Sequence, residues 1–309
     1  ALPTYQSAWL KTHYPAAFLA AVLSHDPGMY PKRLIVDEAR QMGITIASID
    51  VNASDSAYRV EDHGNAIRIA LSTVAGISDT EVQSIIAGRP YIDLNDFVRR
   101  SGCSTPVTES LILTGGFDSL HADVNRRDLL LHFSDLQKSP SAAVSGAQMN
   151  LGFDPPALIS SGLPAMSAAE SVKYEVDRLG IDMSRHMIEF YGDFLNAIGA
   201  VRSSDLLKQR SQSSVLVAGI KVAMQTPPVR SGKRVIFLTL DDGYGLSDST
   251  FFTDVQGEYA NVLYSTSLLL VRGVTRRTGA RGISIRATGA WDLRAAYESW
   301  SAKQSTLAI

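Results

Sequence analysis

Apolar and polar positions alternate with a helical period near the start of the chain. In "YPKRLIVDEARQMG", residues 30–43, the apolar Leu34, Ile35 and Ala39 recur at helical spacing, and Gly43 is a natural C-terminal stop. The next segment, "ITIASIDVN", alternates apolar and polar residues as a strand does. The pattern therefore predicts helices followed by an extended segment over residues 1–68.

A different pattern dominates the second half. Residues 167–207 again show a helical period, with Val172, Val176 and Leu179 on one face and Gly180 after them. From 215 to 290 the period becomes that of strands, in five segments separated by turn residues: "VLVAGIKVAM", "KRVIFLTLDD", "DSTFFT", "SLLLVRGVTRR" and "GISIRATG". Five strands of this length predict a small antiparallel barrel, of which the OB-fold is the commonest type that binds nucleic acids.

Three phenylalanines lie in these strand segments, and they have two interpretations. Exposed rings could stack on bases beside basic loops, whereas buried rings would fill the barrel. We expect at least two of Phe237, Phe251 and Phe252 to fill the interior. Tyr244, in the turn "DDGYG", is the aromatic residue expected to be exposed.

A glycine-bearing turn precedes a well-marked helix in "LSTVAGISDTEVQSIIAG", residues 71–88. Ser78 and Glu81 form the Ser-x-x-Glu pattern of a capping box. The backbone N–H groups around this helix start, together with the helix dipole, predict a site for a DNA phosphate, contacted without reading bases. Its residues are Gly76, Ile77, Ser78 and Asp79. The alternative is a packing device that lets two helices meet.

"LILTGGFDSL", residues 111–120, is interpreted as a degenerate second hairpin of the same kind. Two features of the first hairpin depart from the usual pattern. Ser78 stands where a second glycine is usual, and Asp79 places a negative charge beside the predicted phosphate.

Charge is distributed unevenly along the chain. The whole sequence of 309 residues has a net charge of -2, whereas residues 213–290 contain nine Lys and Arg against five Asp and Glu. Two basic loops, "PPVRSGKR" and "RGVTRRTGARG", join strands of the predicted barrel. This local excess predicts binding of single-stranded nucleic acid. The residues predicted to contact DNA here are Lys221, Arg230, Lys233, Arg234, Tyr244, Arg276, Arg277 and Arg281.

Several kinds of chemistry have no signature in this sequence. Cys103 is the single cysteine, which excludes a disulfide framework or a zinc cluster built from thiolates and fits a reducing cytoplasm. The six histidines show no metal-ligand spacing, and no phosphate-binding Gly-x4-Gly-Lys loop is present. Adjacent residues on a strand point to opposite faces, so Asp241 and Asp242 are predicted to begin a turn rather than to hold metals. No apolar run has the length of a membrane span, and no secretory signal is visible. We therefore predict no metal site, no membrane partner and a cytoplasmic location.

The order of these segments resembles the C-terminal part of bacterial C-family DNA polymerases, the polymerase III alpha-subunit family. "YQSAWLKTHYPAAFLAAVLS", residues 5–24, looks like the end of the fingers domain of that family. "IRIALSTVAGIS" followed by "LILTGGFDSL" is similar to its helix-hairpin-helix module. The segment "VLVAGIKVAMQTPPVRSGKRVIFLTLDDGYGLSDSTFF" resembles the opening of its OB domain.

Two features resemble the error-prone branch, which acts in translesion synthesis and DNA repair. "RHMIEFY", residues 185–191, stands where replicative members carry a Gly-His-Pro motif, and the chain ends soon after the barrel segments. The family resemblance implies phosphoryl transfer from a deoxynucleoside triphosphate at two Mg²⁺ ions held by palm-domain aspartates. That palm would precede Ala1, so this segment is expected to hold no catalytic residue and no cofactor. Translesion accessory proteins are expected partners.

The low-complexity stretch gains a meaning from the resemblance. Residues 134–166 are rich in Ser, Pro, Gly and Ala, a composition typical of a linker. Family members that bind the β sliding clamp carry a Gln-x-x-Leu-x-Phe peptide between hairpin module and OB domain. "QMNLGF" fits it with Gln148, Leu151 and Phe153. The alternative is a linker with incidental apolar residues.

The predicted fold class is a multidomain α+β protein, with a helical part that contains the helix-hairpin-helix module, followed by a five-stranded OB-type antiparallel β-barrel. The predicted organisation is the end of a fingers domain (1–68), a hairpin module (69–133), a linker (134–166), a helical connector (167–212), an OB-fold domain (213–290) and a C-terminal helix with a tail (291–309). The expected function is the DNA-binding part of an error-prone polymerase. The alternative is a non-enzymatic adaptor that binds single strands and recruits partners.

Overall fold

The computed structural model describes residues 2–26, 28, 30–138, 158, 160–227, 234–279 and 282–307. The chain divides into two compact units, Ala1–Arg185 and His186–Ile309. We call them the hairpin unit and the barrel unit, and each is described by itself.

The hairpin unit begins with helices packed on a small sheet. The elements are α1 (Leu2–His13), α2 (Pro15–His25), α3 (Lys32–Gln41), β1 (Thr45–Ala47), β2 (Arg59–Glu61) and β3 (Ala66–Arg68). The sheet order is β1-β3-β2, with β1 parallel and β2 antiparallel to β3. Pro15 occupies the first turn of α2, where its missing N–H costs no helical hydrogen bond. The buried face of α3 includes Ile35, Val36 and Ala39, which confirms the predicted helix.

Five further helices complete this unit: α4 (Asp79–Ala87), α5 (Leu94–Ser101), α6 (Thr105–Leu113), α7 (Arg126–Lys138) and α8 (Ala168–Leu179). Residues 134–138, which the composition assigned to the linker, continue α7. Three aromatic rings form the centre of the core: Phe97 contacts both Tyr91 and Phe117 edge-on, with ring centroids 4.9 Å apart in each pair. All three rings are at most 2% exposed. Through Phe97, they hold the loop before α5 and the turn after α6 onto α5.

The barrel unit begins with a 3₁₀ turn at Met187–Tyr191. Its other elements are α9 (Gly192–Ala197), α10 (Ser203–Leu206), β4 (Ser214–Gln225), β5 (Ile236–Asp241), β6 (Leu246–Phe251), α11 (Thr253–Ser265), β7 (Leu268–Arg277), β8 (Ile283–Asp292) and α12 (Leu293–Leu307). The five predicted strands are confirmed. Helix α11 was not predicted, although Val255, Tyr259 and Val262 recur at helical spacing and pack against the barrel core.

The barrel is closed, in the order β4-β5-β6-β8-β7. The prediction of a wholly antiparallel barrel is wrong, because β6 and β8 pair in parallel. The reason is geometric: strand directions cannot alternate all the way round a closed ring with an odd number of strands. The barrel is therefore a mixed one.

Only one of the three phenylalanines fills the barrel, which corrects the expectation of at least two. Phe251 is 0% exposed, whereas Phe237 is 45% exposed and Phe252 is 38% exposed. Successive residues of a strand face opposite sides of the sheet. Phe237 lies between the buried Ile236 and Leu238, so its ring faces outward.

A second apolar cluster covers part of the outer barrel surface. Ile188 and Phe194 pack with Leu270 of β7 and Leu293 of α12, and the rings of Tyr297 and Trp300 lie against them. The outer faces of β5, β6 and β8 keep exposed side chains, among them Phe237 and Arg286. In the described part of the chain, none of the helices combines the length and apolar character needed to cross a membrane.

Candidate nucleic-acid interface

The turn before α4 is exposed and requires glycine at one position. Gly76 has a φ of +80°, in the left-handed region that side-chain-bearing residues rarely adopt. A Cβ built on Gly76 would meet no atom within 4 Å, so the requirement comes from the backbone angle and not from crowding. The space beside Gly76 is thus open to an external ligand.

The donors of this turn are fewer than the sequence predicted. The N–H of Ser78 donates to Glu81 Oε2 at 2.9 Å, and the N–H of Ile77 donates to Val74 O at 3.2 Å. The N–H groups of Ser78 and Ile77 are therefore bound within the turn and are not free to bind a phosphate, and a DNA contact by these two residues stays a prediction. Among the described residues, the N–H groups of Gly76 and Asp79 have no acceptor.

Glu81 already places a negative charge at this helix start. Its carboxylate completes the predicted capping box with Ser78, and its second oxygen accepts from the N–H and hydroxyl of Ser104 at 2.9 and 2.8 Å. Ser104 precedes α6, so one carboxylate serves the N-termini of two helices. The hydrogen bonds from Ser104, followed by those from Ser78, lower the pKa of Glu81 to about 2. An internal anion thus competes with an external one here.

The predicted second hairpin is the C-terminal end of α6. Gly115 has a φ of +89°, and its N–H donates to Ile112 O at 3.2 Å. The N–H of Gly116 donates to Leu111 O at 2.7 Å. Arg126 binds Leu113 O and the Asp118 carboxylate at 3.0 and 2.6 Å. These bonds satisfy the end of the helix and leave the glycine N–H groups committed to the fold.

Two of the predicted DNA contacts in the barrel unit are directed at protein carbonyls. Lys221 Nζ donates to Leu263 O at 2.7 Å, near the C-terminus of α11, where a cation is favourable. Arg277 donates to Gln209 O at 3.3 Å and also to Leu207 O. The structure therefore gives both side chains a role inside the unit. Arg234 and Arg276 are exposed.

Tyr244 is 46% exposed, as expected, and carries a cation on its ring. The Arg202 guanidinium lies 4.4 Å from the ring centroid. Asp242 orders this turn by accepting from Tyr244 N at 3.0 Å and from Ser203 N at 2.7 Å. Asp241 ends β5 and accepts from Gly243 N at 3.0 Å, which confirms the predicted turn.

A row of side chains that sequence reasoning missed crosses the outer face of the barrel. Phe237 of β5 is directly opposite Thr250 of β6, and Thr250 is opposite Arg286 of β8. The Arg286 guanidinium lies 5.4 Å from the ring centroid of Phe252 and 3.3 Å from the Asp254 carboxylate. An exposed ring beside an exposed guanidinium can stack a base and contact a phosphate. The signal in the sequence was Phe237 between two strongly apolar neighbours of a strand.

The two units differ in charge. Residues 1–185 contain 15 Lys and Arg against 21 Asp and Glu, and residues 186–309 contain 14 against 10. The hairpin unit is therefore at -6 and the barrel unit at +4. Attraction for a polyanion favours the barrel unit.

Six predicted site residues lie outside the described residues. They are Arg230, Lys233 and Arg281 in the basic loops, and Gln148, Leu151 and Phe153 in the clamp-binding motif. The roles proposed for them stay predictions.

One known family matches part of the hairpin unit. Residues 43–129, within the hairpin unit, match the family described as "Helix-hairpin-helix motif". The chain thus contains a helix-hairpin-helix region followed by a closed β-barrel.

Relatives match almost the whole chain. The error-prone DNA polymerase of Symbiobacterium thermophilum is 31% identical over 91% of this chain and 30% of its own length. That of Bdellovibrio bacteriovorus is 29% identical over 91% of this chain and 28% of its own length. The DNA polymerase III subunit alpha of Vibrio cholerae is 28% identical over 97% of this chain and 27% of its own length. These relatives confirm the resemblance to the C-terminal part of bacterial C-family DNA polymerases, and the chain spans under a third of their length.

Proposed function

We propose that this chain is the DNA-binding part of an error-prone DNA-directed DNA polymerase that acts in repair and translesion synthesis. In this proposal the barrel unit holds the single-stranded template, and the hairpin unit contacts duplex phosphates. The observation that carries it is the exposed row Phe237–Thr250–Arg286 on the unit that bears the positive charge. The error-prone polymerases among the relatives support the error-prone branch.

We propose further that the barrel is of the OB type. Its five strands close in the order β4-β5-β6-β8-β7, and α11 lies between the third and fourth strands of the chain order. In OB-folds the second and third strands form the face that binds oligonucleotides. In this barrel those strands are β5 and β6, which carry Phe237 and Thr250.

The duplex contact is proposed at the turn before α4. Gly76 and Asp79 supply its N–H groups, since those of Ile77 and Ser78 bind within the turn. Phosphate binding at this point has to overcome the charges of Glu81 and Asp79. We therefore propose a weaker contact here than in the barrel unit.

The remaining parts of the proposal follow from the family. Synthesis at two Mg²⁺ ions would take place in a palm outside this chain, in the cytoplasm. The β sliding clamp, through Gln148, Leu151 and Phe153, and translesion accessory proteins stay proposed partners. The adaptor alternative is disfavoured because the relatives are polymerases. Palm carboxylates encoded in frame before Ala1 would support the polymerase, and a start codon directly before Ala1 would support the adaptor.

The test of the barrel proposal is single-strand binding by a Phe237→Ala variant. One stacked base contributes about 1–3 kcal/mol, so affinity for a labelled dT12 should fall about 5- to 150-fold. The matched control is Tyr264→Ala, which removes another exposed ring, 58% exposed, from the same unit. Fluorescence anisotropy measures both. Equal losses in the two variants, or none in Phe237→Ala, would refute the stacking role.

A further inference from the structure

An exposed tryptophan lies on the barrel away from the row that contains Phe237. Trp291, near the end of β8, is 38% exposed. A Cβ built on Gly289 would lie 2.6 Å from the indole, so the ring covers the backbone of Gly289. The outer edge of the indole thus lies against Gly289, two residues back along the same strand.

A cation lies over one side of this ring. Arg272 of β7 pairs with Gly289 in the register, and its guanidinium lies 5.4 Å from the Trp291 ring centroid. Tyr259 of α11 meets the indole edge-on, with centroids 6.0 Å apart. The tryptophan is therefore held by its surroundings while more than a third of its surface stays open.

The outward face of the β7–β8 hairpin is basic. It carries the exposed Arg272, Arg276 and Arg286. Among the described residues, the carboxylate paired with this set is that of Asp254, 3.3 Å from Arg286. Arginines that alternate with open aromatic rings fit a partner with regularly spaced anions and flat apolar groups. A single-stranded polynucleotide has that chemistry.

We infer that Trp291 and Arg272 form a second nucleotide position on the barrel, with a base stacked on Trp291 and a phosphate held by Arg272. The inference rests on the proposed single-strand binding and adds a second position at which the bound strand contacts the barrel. Trp291 lies five residues along β8 from Arg286, roughly 16 Å at the usual rise of a strand. A bound strand would then run from Phe237 past Arg286 to Trp291, so long oligonucleotides would reach both positions.

The test uses tryptophan fluorescence of the whole chain, which contains Trp9, Trp291 and Trp300. Saturation with dT12 should quench part of the emission. Trp291→Phe should abolish this quenching, whereas Trp9→Phe should preserve it. Trp9 is a matched control because it is 43% exposed and lies in the hairpin unit. Quenching that persists in Trp291→Phe would overturn the inference.

The Arg272→Gln variant provides a second test, which leaves the indole of Trp291 in place. Loss of one phosphate contact should weaken dT12 binding and reduce the slope of log affinity against log salt by about one. Thermal melting checks that the variant stays folded. If dT12 binds with unchanged affinity and slope, the position is refuted while the proposed function stands. If the parent chain does not bind dT12, both are refuted.

Discussion

The carboxylate of Glu81 offers the sharpest prediction about the hairpin unit. It accepts four hydrogen bonds, from the N–H and hydroxyl groups of Ser78 and Ser104. Ser104 lies 23 residues after Glu81 in the sequence. Glu81→Gln keeps the shape of the side chain but removes the charge and one acceptor. We expect it to destabilise the fold, because two helix N-termini then lose their anion.

The size of the effect follows from the pKa. A drop of the pKa from its ordinary value of 4.5 to about 2 corresponds to roughly 3 kcal/mol, since each tenfold change in proton affinity is worth about 1.4 kcal/mol. Glu81 is partly exposed, and solvent screening reduces this value. Loss of a single N-cap costs about 1 kcal/mol. We therefore expect Glu81→Gln to lower the free energy of unfolding by about 1–3 kcal/mol at pH 7.

The sign of the pH dependence is fixed by the lowered pKa. The contribution of Glu81 is fully present above pH 4.5 and is lost as the pH falls towards about 2. The stability gap between the parent and Glu81→Gln should thus be largest at neutral pH and shrink at acid pH. Urea unfolding at pH 7 and pH 3 measures it, with Glu109→Gln, an exposed change on α6, as the control. A stability gap that is absent at pH 7, or equal at both pH values, would show that the charge of Glu81 does not stabilise the two helix N-termini.

Three further predictions concern the turn, the barrel and the thiol. Gly76→Ala should weaken duplex binding more than Gly162→Ala, a glycine with a similar φ of +74° and equally open surroundings, when melting curves match. Arg276→Ala should flatten the salt dependence of dT12 binding by about one, whereas Arg277→Ala should mainly lower the melting temperature, because its guanidinium binds backbone carbonyls. Burial raises the pKa of Cys103 to about 11, so iodoacetamide should label it slowly at pH 8 in the native chain and quickly in urea. Rapid native labelling would contradict that burial.

Local signals in the sequence were sufficient for much of the fold. The capping box of Ser78 and Glu81 spans four residues, and the five strands each carry their own period. Contacts between distant residues had no such signal. The bond from Ser104 to Glu81 and the parallel pairing of β6 with β8 depend on how separate elements meet.

The candidate site was harder to predict than the fold, because charge alone does not tell where a side chain points. Lys221 and Arg277 were predicted as DNA contacts, and the structure shows that both side chains also bind protein carbonyls. At least two of Phe237, Phe251 and Phe252 were predicted to fill the barrel, whereas the strand register turns Phe237 outward. Helix α11 was missed because residues 254–266 were interpreted as a turn between two strand segments.

Photochemical crosslinking of the intact chain shows directly which unit binds the single strand. A dT12 that contains 5-iodouracil is bound and irradiated, and the crosslinked residues are mapped by mass spectrometry. We expect crosslinked peptides from the barrel unit, residues 186–309, with Phe237 among the modified residues. Crosslinks confined to residues 1–185 would contradict it, since the strand would then lie on the acidic hairpin unit and not on the outer face of the barrel.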